Sequence, residues 1–190
     1  GGGGQSLSVV QAGGKIILSG GVGQNEALGS VSLTGPTELA GNVTTTGTQT
    51  YGGALTLGAD VALIGEGINS TAAIDGAHAL TITDSGNASL ANLGESTALS
   101  SVAITAKALE LSDVKTVGTQ TYSTTGTDVS DVIQTNSTYS SEGAAILFNG
   151  AVQANDELIV DTTAGGSAGA NIAFQGTLNS APGEANAITL

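Results

Sequence analysis

The residues able to do chemistry in this chain are few. There is one imidazole, His78, and no cysteine, methionine, tryptophan or arginine. Thiol nucleophiles, thiolate metal sites and a disulfide-stapled fold are therefore excluded. A catalytic triad would need His78 beside a hydroxyl nucleophile and an orienting carboxylate. Asp75-Gly76-Ala77-His78 reads instead as a turn, because a related segment carries Asn186 in the same place. Carboxylates come close in sequence at Asp128 and Asp131 and at Asp156-Glu157. Glycoside hydrolysis requires two carboxylates held at a fixed separation, and residues on neighbouring coils of a repetitive fold could meet it. The plain reading is that both pairs sit in solvated turns. We assign no catalytic residue and read the chain as non-enzymatic.

Metal and ligand motifs are no stronger. Asp84-Ser85-Gly86-Asn87 and Asn155-Asp156 offer hard oxygen donors of the kind calcium takes. The Gly-Gly-x-Gly-x-Asp repeat of calcium-bound β-rolls is missing, since Gly1–Gly4 and Gly20-Gly21-Val22-Gly23 lack its Asp. No metal ligand and no cofactor is expected. The glycine runs are not phosphate loops, for no Gly-Lys-Ser/Thr follows them. Asn42-Val43-Thr44, Asn69-Ser70-Thr71 and Asn136-Ser137-Thr138 match the glycan-acceptor pattern, but read as turn chemistry in so Thr- and Asn-rich a chain. Thr44-Thr45-Thr46 and Thr48-x-Thr50 could form outward threonine ladders similar to an ice-binding face. Lys115 and Val117 replace Thr44 and Thr46 in a second copy of the segment, which breaks such a ladder.

Charge narrows the partners. The cations are Lys15, Lys107 and Lys115 against a formal net charge of −13. Nucleic acid and anionic membrane surfaces, which bind through clustered Lys and Arg, are poor partners. No apolar run approaches the ~20 residues of a membrane-spanning helix, and residues 1–4 carry no signal-peptide pattern.

The elements that must position these residues are strands. Leu7-x-Val9, Val31-x-Leu33, Leu55-x-Leu57, Leu80-x-Ile82, Val102-x-Ile104, Leu109-x-Leu111 and Leu158-x-Val160 alternate with period two between Gly, Asn, Asp and Ser. Ser96–Leu111 comes nearest to a helix, but its Ser-Ser pair and flanking threonines oppose one. The chain also repeats itself. The segment 27–51 aligns without gaps on the segment 98–122, and about half of the paired positions are identical, including Gly-Thr-Gln-Thr-Tyr. Ile146-x-Phe148-x-Gly150-x-Val152 recurs further on as Ile172-x-Phe174-x-Gly176-x-Leu178. The segment 77–82 is echoed in the segment 185–190.

Short strands in repeating units point to an all-β solenoid, a parallel β-helix. Its narrow interior suits Val, Ile, Leu and Ala, and its corners suit Gly, Asn and Asp. Coils of roughly 20 to 26 residues give about eight coils and a rod near 35–40 Å long. The offset from Phe148 to Phe174 should be one coil, stacking one ring on the other. The longer offset, from Tyr51 to Tyr122, should be about three coils and hold the two tyrosines apart. A sandwich or ordinary barrel is the alternative, disfavoured by near-verbatim repetition and by only 3% aromatic residues.

The stretch from Gly29 to Leu63, with Asn42-Val43-Thr44-Thr45-Thr46-Gly47-Thr48-Gln49-Thr50-Tyr51 at its centre, resembles the repeats of large bacterial surface exoproteins. These are the filamentous-haemagglutinin-like and autotransporter-passenger proteins. Asp161-Thr162-Thr163-Ala164-Gly165-Gly166 leading into residues 171–178 is similar to another stretch of such repeats. The resemblance implies a right-handed parallel β-helix exported across a Gram-negative envelope to the cell surface or beyond. It further implies that residues 1–190 are one internal β-helical repeat segment of a longer exoprotein. The glycine run at one end and Ile188-Thr189-Leu190 at the other fit that expectation, as does the lack of a recognisable secretion domain or membrane barrel. The expected function is structural: a segment of a surface or secreted filament that gives reach and rigidity, with adhesion as a further use. The expected partners are neighbouring coils or further copies, and host or surface glycans. The alternative is a carbohydrate-binding or carbohydrate-degrading β-helix. Polysaccharide lyases of that fold use a basic residue in a calcium-rich groove, and the absence of arginine counts against that chemistry.

Overall fold

A computed structural model describes residues 4–135, 137–166 and 168–190. Gly1, Gly2, Gly3, Asn136 and Ser167 lie outside the described residues. The chain winds as a three-faced parallel β-helix, and every pairing between its strands is parallel. The strands follow in chain order as β1 (Ser6–Val10), β2 (Ile16–Leu18), β3 (Ser30–Thr34), β4 (Thr37–Leu39), β5 (Val43–Thr44) and β6 (Gln49–Tyr51). Then come β7 (Leu55–Leu57), β8 (Val61–Gly65), β9 (Ile68–Ser70), β10 (Ile74–Asp75), β11 (Ala79–Asp84) and β12 (Asn87–Leu90). The second half holds β13 (Ser101–Ala106), β14 (Ala108–Leu111), β15 (Val114–Thr116), β16 (Gln120–Thr124), β17 (Ile133–Thr135) and β18 (Thr138–Ser141). The last six are β19 (Ile146–Asn149), β20 (Val152–Ala154), β21 (Leu158–Asp161), β22 (Ile172–Phe174), β23 (Leu178–Ser180) and β24 (Ile188–Thr189).

Face A stacks β1, β3, β6, β9, β12, β14, β17, β20 and β23, so eight steps separate its ends. At ~4.8 Å per step that is a rod of about 38 Å. Face B is β2, β4, β7 and β10, then β15, β18, β21 and β24. Between its two halves Leu93 alone bridges Ile74 to Val114. Face C runs from β5 through β8, β11, β13, β16 and β19 to β22. Coil length varies. A short coil carries Val31 round to Gln49, just under the expected range, and a long one carries Val152 round to Leu178, at its upper end.

The alternating strands explain the core. Inward residues such as Val31, Leu33, Leu39, Leu63, Leu80, Ile104, Leu111 and Val160 are almost wholly buried in one continuous apolar column. All seven period-two segments are strands, and Ser96–Leu111 holds β13 and β14 rather than a helix. Among the described residues the only helical element is a 3₁₀ turn at Ala164–Gly166. Phe148 stacks on Phe174 as expected, their rings 4.8 Å apart and 3° from parallel. The column continues to Tyr122, with Tyr139 edge-on to both Tyr122 and Phe148. The interior thus takes the aromatics as well as the aliphatics.

The long repeat does not span a whole number of coils. Its first copy begins on face A with β3, its second on face C with β13, so the offset is three coils plus two faces. The gapless alignment also slips. Val31 and Leu33 align with Val102 and Ile104, but the inward Thr37 and Leu39 correspond to Leu109 and Leu111, one position further on than the alignment puts them. The original register returns by Val43 and Val114. The physical reason is that three near-equivalent faces let a strand-corner-strand unit be laid on any of them. The echo of the segment 77–82 in 185–190 behaves alike, leading into face C at β11 and face B at β24.

Candidate functional site

The shared Gly-Thr-Gln-Thr-Tyr motif makes the most organised polar chemistry in the rod, and it is internal. Gln49 and Tyr51 have the same strand parity, so both turn inward and are 0% and 1% exposed. The Gln49 amide donates to the Ile64 carbonyl (2.8 Å), the Thr45 hydroxyl (3.2 Å) and the Val43 carbonyl (3.3 Å). The Tyr51 hydroxyl donates to Gln49 Oε1 at 2.7 Å, and Thr45 donates to the Gly47 carbonyl at 2.7 Å. In the second copy Gln120 donates to Thr116 Oγ1 (3.0 Å) and the Ser140 carbonyl (2.8 Å), and Tyr122 donates to Gln120 Oε1 (2.9 Å). Thr116 donates to the Gly118 carbonyl at 2.6 Å. Each chain of bonds ties its corner to the next coil, at the Ile64 carbonyl in one copy and the Ser140 carbonyl in the other. Burial pushes the Tyr51, Tyr122 and Tyr139 phenols well above their usual range, so none is poised for proton transfer at neutral pH. Sequence reasoning missed the inward glutamines, although their parity with Tyr51 and Tyr122 was a readable signal.

The predicted chemical residues do not converge. His78 sits at the corner between β10 and β11, half-exposed, its Nδ1 3.7 Å from Asp60 Oδ1. The same Asp60 oxygen accepts the Ala79 N–H at 2.9 Å. Asp128 and Asp131 belong to the excursion between β16 and β17, whereas Asp156 and Glu157 form the corner between β20 and β21. The pairs therefore lie on different edges of the rod. Asp131 is buried and works as a latch: its Oδ2 accepts the Asp128 N–H (2.9 Å) and its Oδ1 lies 3.7 Å from Lys107 Nζ. Asp84 is buried too, and its oxygens accept the N–H groups of Gly67 (2.7 Å), Ile68 (2.6 Å) and Gly86 (2.8 Å). A carboxylate so engaged binds coils together, and its hydrogen bonds occupy the oxygens a cation would need.

Asn and Asp recur as corner staples. Asn42 Oδ1 accepts the Ala62 N–H, Asp113 Oδ1 accepts that of Thr138, and Asp75 Oδ1 accepts those of Ser96 and Thr97. This is the turn chemistry expected of Asn42, while Asn69 points outward from β9. The threonine ladder does not form. Thr45 is turned inward, and Thr50 on face A lies between Ser32 and Asn69. Asp161 is held below the usual carboxylate range by the hydroxyl and N–H of Thr163.

Fold and site together define a parallel β-helix whose polar side chains both shape its corners and join coil to coil. No family model, no curated protein and no solved structure matches the chain.

Proposed function

We propose that this chain is a structural, non-enzymatic segment of a bacterial surface or secreted filament. Its job is reach and rigidity, and adhesion is a use such a rod can serve. The observation carrying this reading is the unbroken stack of face A from Ser6 to Ser180, backed by one continuous core. A stack of this kind converts chain length into distance at ~4.8 Å per coil. The partners that go with it are further coils and surface glycans, and the location is the outer surface of a Gram-negative cell. Right-handed winding belongs to the same reading.

Immunogold labelling with antibody raised against the 190-residue chain tests it. Label along fibres on intact source cells is expected. Label confined to the interior of broken cells would overturn the reading.

A further inference from the structure

We infer that the loop at residues 125–132 and the neighbouring end of face A form a binding groove for a neutral, hydroxyl-rich saccharide. The inference concerns this surface alone and holds wherever the rod resides. The step along the chain from Leu109 to Ile133 is longer than the next, from Ile133 to Val152, and the excess forms a loop standing over the rod. Beneath it lies a groove of about 530 Å³, floored by coils on the far side of the loop. That volume is within the range of small-ligand sites.

The loop is fixed in place. Asp131 accepts the Asp128 N–H while paired with Lys107, and the Gly126 N–H donates to the Lys107 carbonyl at 3.2 Å. A Cβ at Gly126 would strike the Asp131 carboxylate, so glycine is required for the latch to close. Opposite the loop, face A changes character. Its outward row reads Ser8, Ser32, Thr50, Asn69, Ser89, Glu110 and then Gln134, Gln153, Asn179. Of these three successive amides, Gln153 and Asn179 line the groove under the loop.

Those amides are oriented. Gln153 Nε2 donates to Asn155 Oδ1 at 2.9 Å, and Asn155 Nδ2 donates to Gln134 Oε1 at 3.4 Å. Gln153 keeps its Oε1 and a second N–H free of that bond, and it lines the groove beside its register neighbour Asn179. An amide that donates and accepts together matches vicinal hydroxyls, which do the same. The groove's ionic groups are Asp128 and the Lys107-paired Asp131, so anionic sugars are repelled. Val129 at the loop tip, fully exposed, supplies an apolar contact for the C–H face of a ring. A protein partner fits less well, because the groove lacks the aromatic and arginine anchors of protein hot spots.

The test titrates the full chain, ¹⁵N-labelled, with neutral hexasaccharides of glucose and mannose and with oligogalacturonate, all at millimolar concentration. Expected are NMR shifts confined to residues 126–131 and to the side-chain amides of Gln153 and Asn179, from at least one neutral sugar and not from oligogalacturonate. Asn179→Ala, at an exposed position, and Gln153→Ala should each weaken binding about tenfold. Asn69→Ala, on the same row outside the groove, should leave it unchanged. No shift with any neutral sugar, shifts spread along the rod, preference for the anionic sugar, or insensitivity to Asn179→Ala would each overturn the inference.

Discussion

The two copies of the long repeat can be compared residue by residue, because they fold alike on different faces. The likeness begins before the strands. Val22 and Leu28 bridge Val43 and Thr45, as Leu93 and Leu99 bridge Val114 and Thr116. Between each pair the chain swings outward through a glycine of positive φ, Gly23 at 70° and Gly94 at 75°. A Cβ on either would run into a carbonyl of the next coil, Thr44 in one copy and Lys115 in the other. The copies then diverge in their surroundings. Tyr51 has Leu33 and Ser70 as register neighbours. Tyr122 lies between Ile104 and Phe148 and opens the aromatic column. One polar corner is thus set in an aliphatic neighbourhood and its twin in an aromatic one. The corner is a portable unit, and its neighbours set how much it stabilises.

High pH should separate the copies most strongly. Unfolded tyrosine ionises near pH 10, while all three buried phenols are raised above that. Protons are therefore held more tightly by the folded state. Stability is fully present below about pH 10 and is lost as pH rises through the folded values. Two of the three phenols, Tyr122 and Tyr139, are in contact. Amide exchange followed above pH 10 should lose protection around residues 116–148 before residues 45–70. Simultaneous loss would show that the neighbourhoods do not differ.

Truncation comes next. Tyr122→Ala should cost about 5 kcal/mol and Tyr51→Ala about 3 to 4, because only the former also breaks ring–ring contacts. Urea unfolding of the two variants measures the gap. Gly23→Ala and Gly94→Ala should each cost about 2 kcal/mol and agree with one another, since the strain and the clash are the same. Unequal losses on thermal melting would break the portability of the unit.

The smallest effect is the most pointed. Tyr51→Phe and Tyr122→Phe each remove a donor to a buried glutamine and should cost about 1 kcal/mol. Tyr139 has no glutamine partner, and among the described residues its buried hydroxyl, like that of Thr135, makes no bond of standard geometry, the Thr135 hydroxyl being only near enough to act on it. Tyr139→Phe should be neutral or slightly stabilising in the same denaturation assay.

Much of this fold was legible beforehand. Alternation marked the strands from Leu7 to Val160, and the spacing of Phe148 and Phe174 gave the length of one coil. The candidate chemistry was legible only as a set of residues. Asp131 and Asp84 read as free carboxylates, yet each is folded inward onto backbone N–H groups. For Asp84 only the Gly86 contact was local, because its donors at Gly67 and Ile68 lie a coil away. Likewise, Gln134, Gln153 and Asn179 are widely spaced in sequence and become a row only when coils stack.

By itself the sequence determined that this is an all-β chain of repeating short strands. Period-two burial and corner-forming residues are local properties, written within a few positions of each other. The tertiary structure alone decided which face each repeat occupies. Between the two copies the chain completes three coils, from Tyr51 through Ser70 and Leu90 to Leu111, before Tyr122 is reached. The remaining step from Leu111 to Tyr122 turns an identical motif from face A to face C. Phase around the axis is a sum over all preceding corners, so no single segment encodes it.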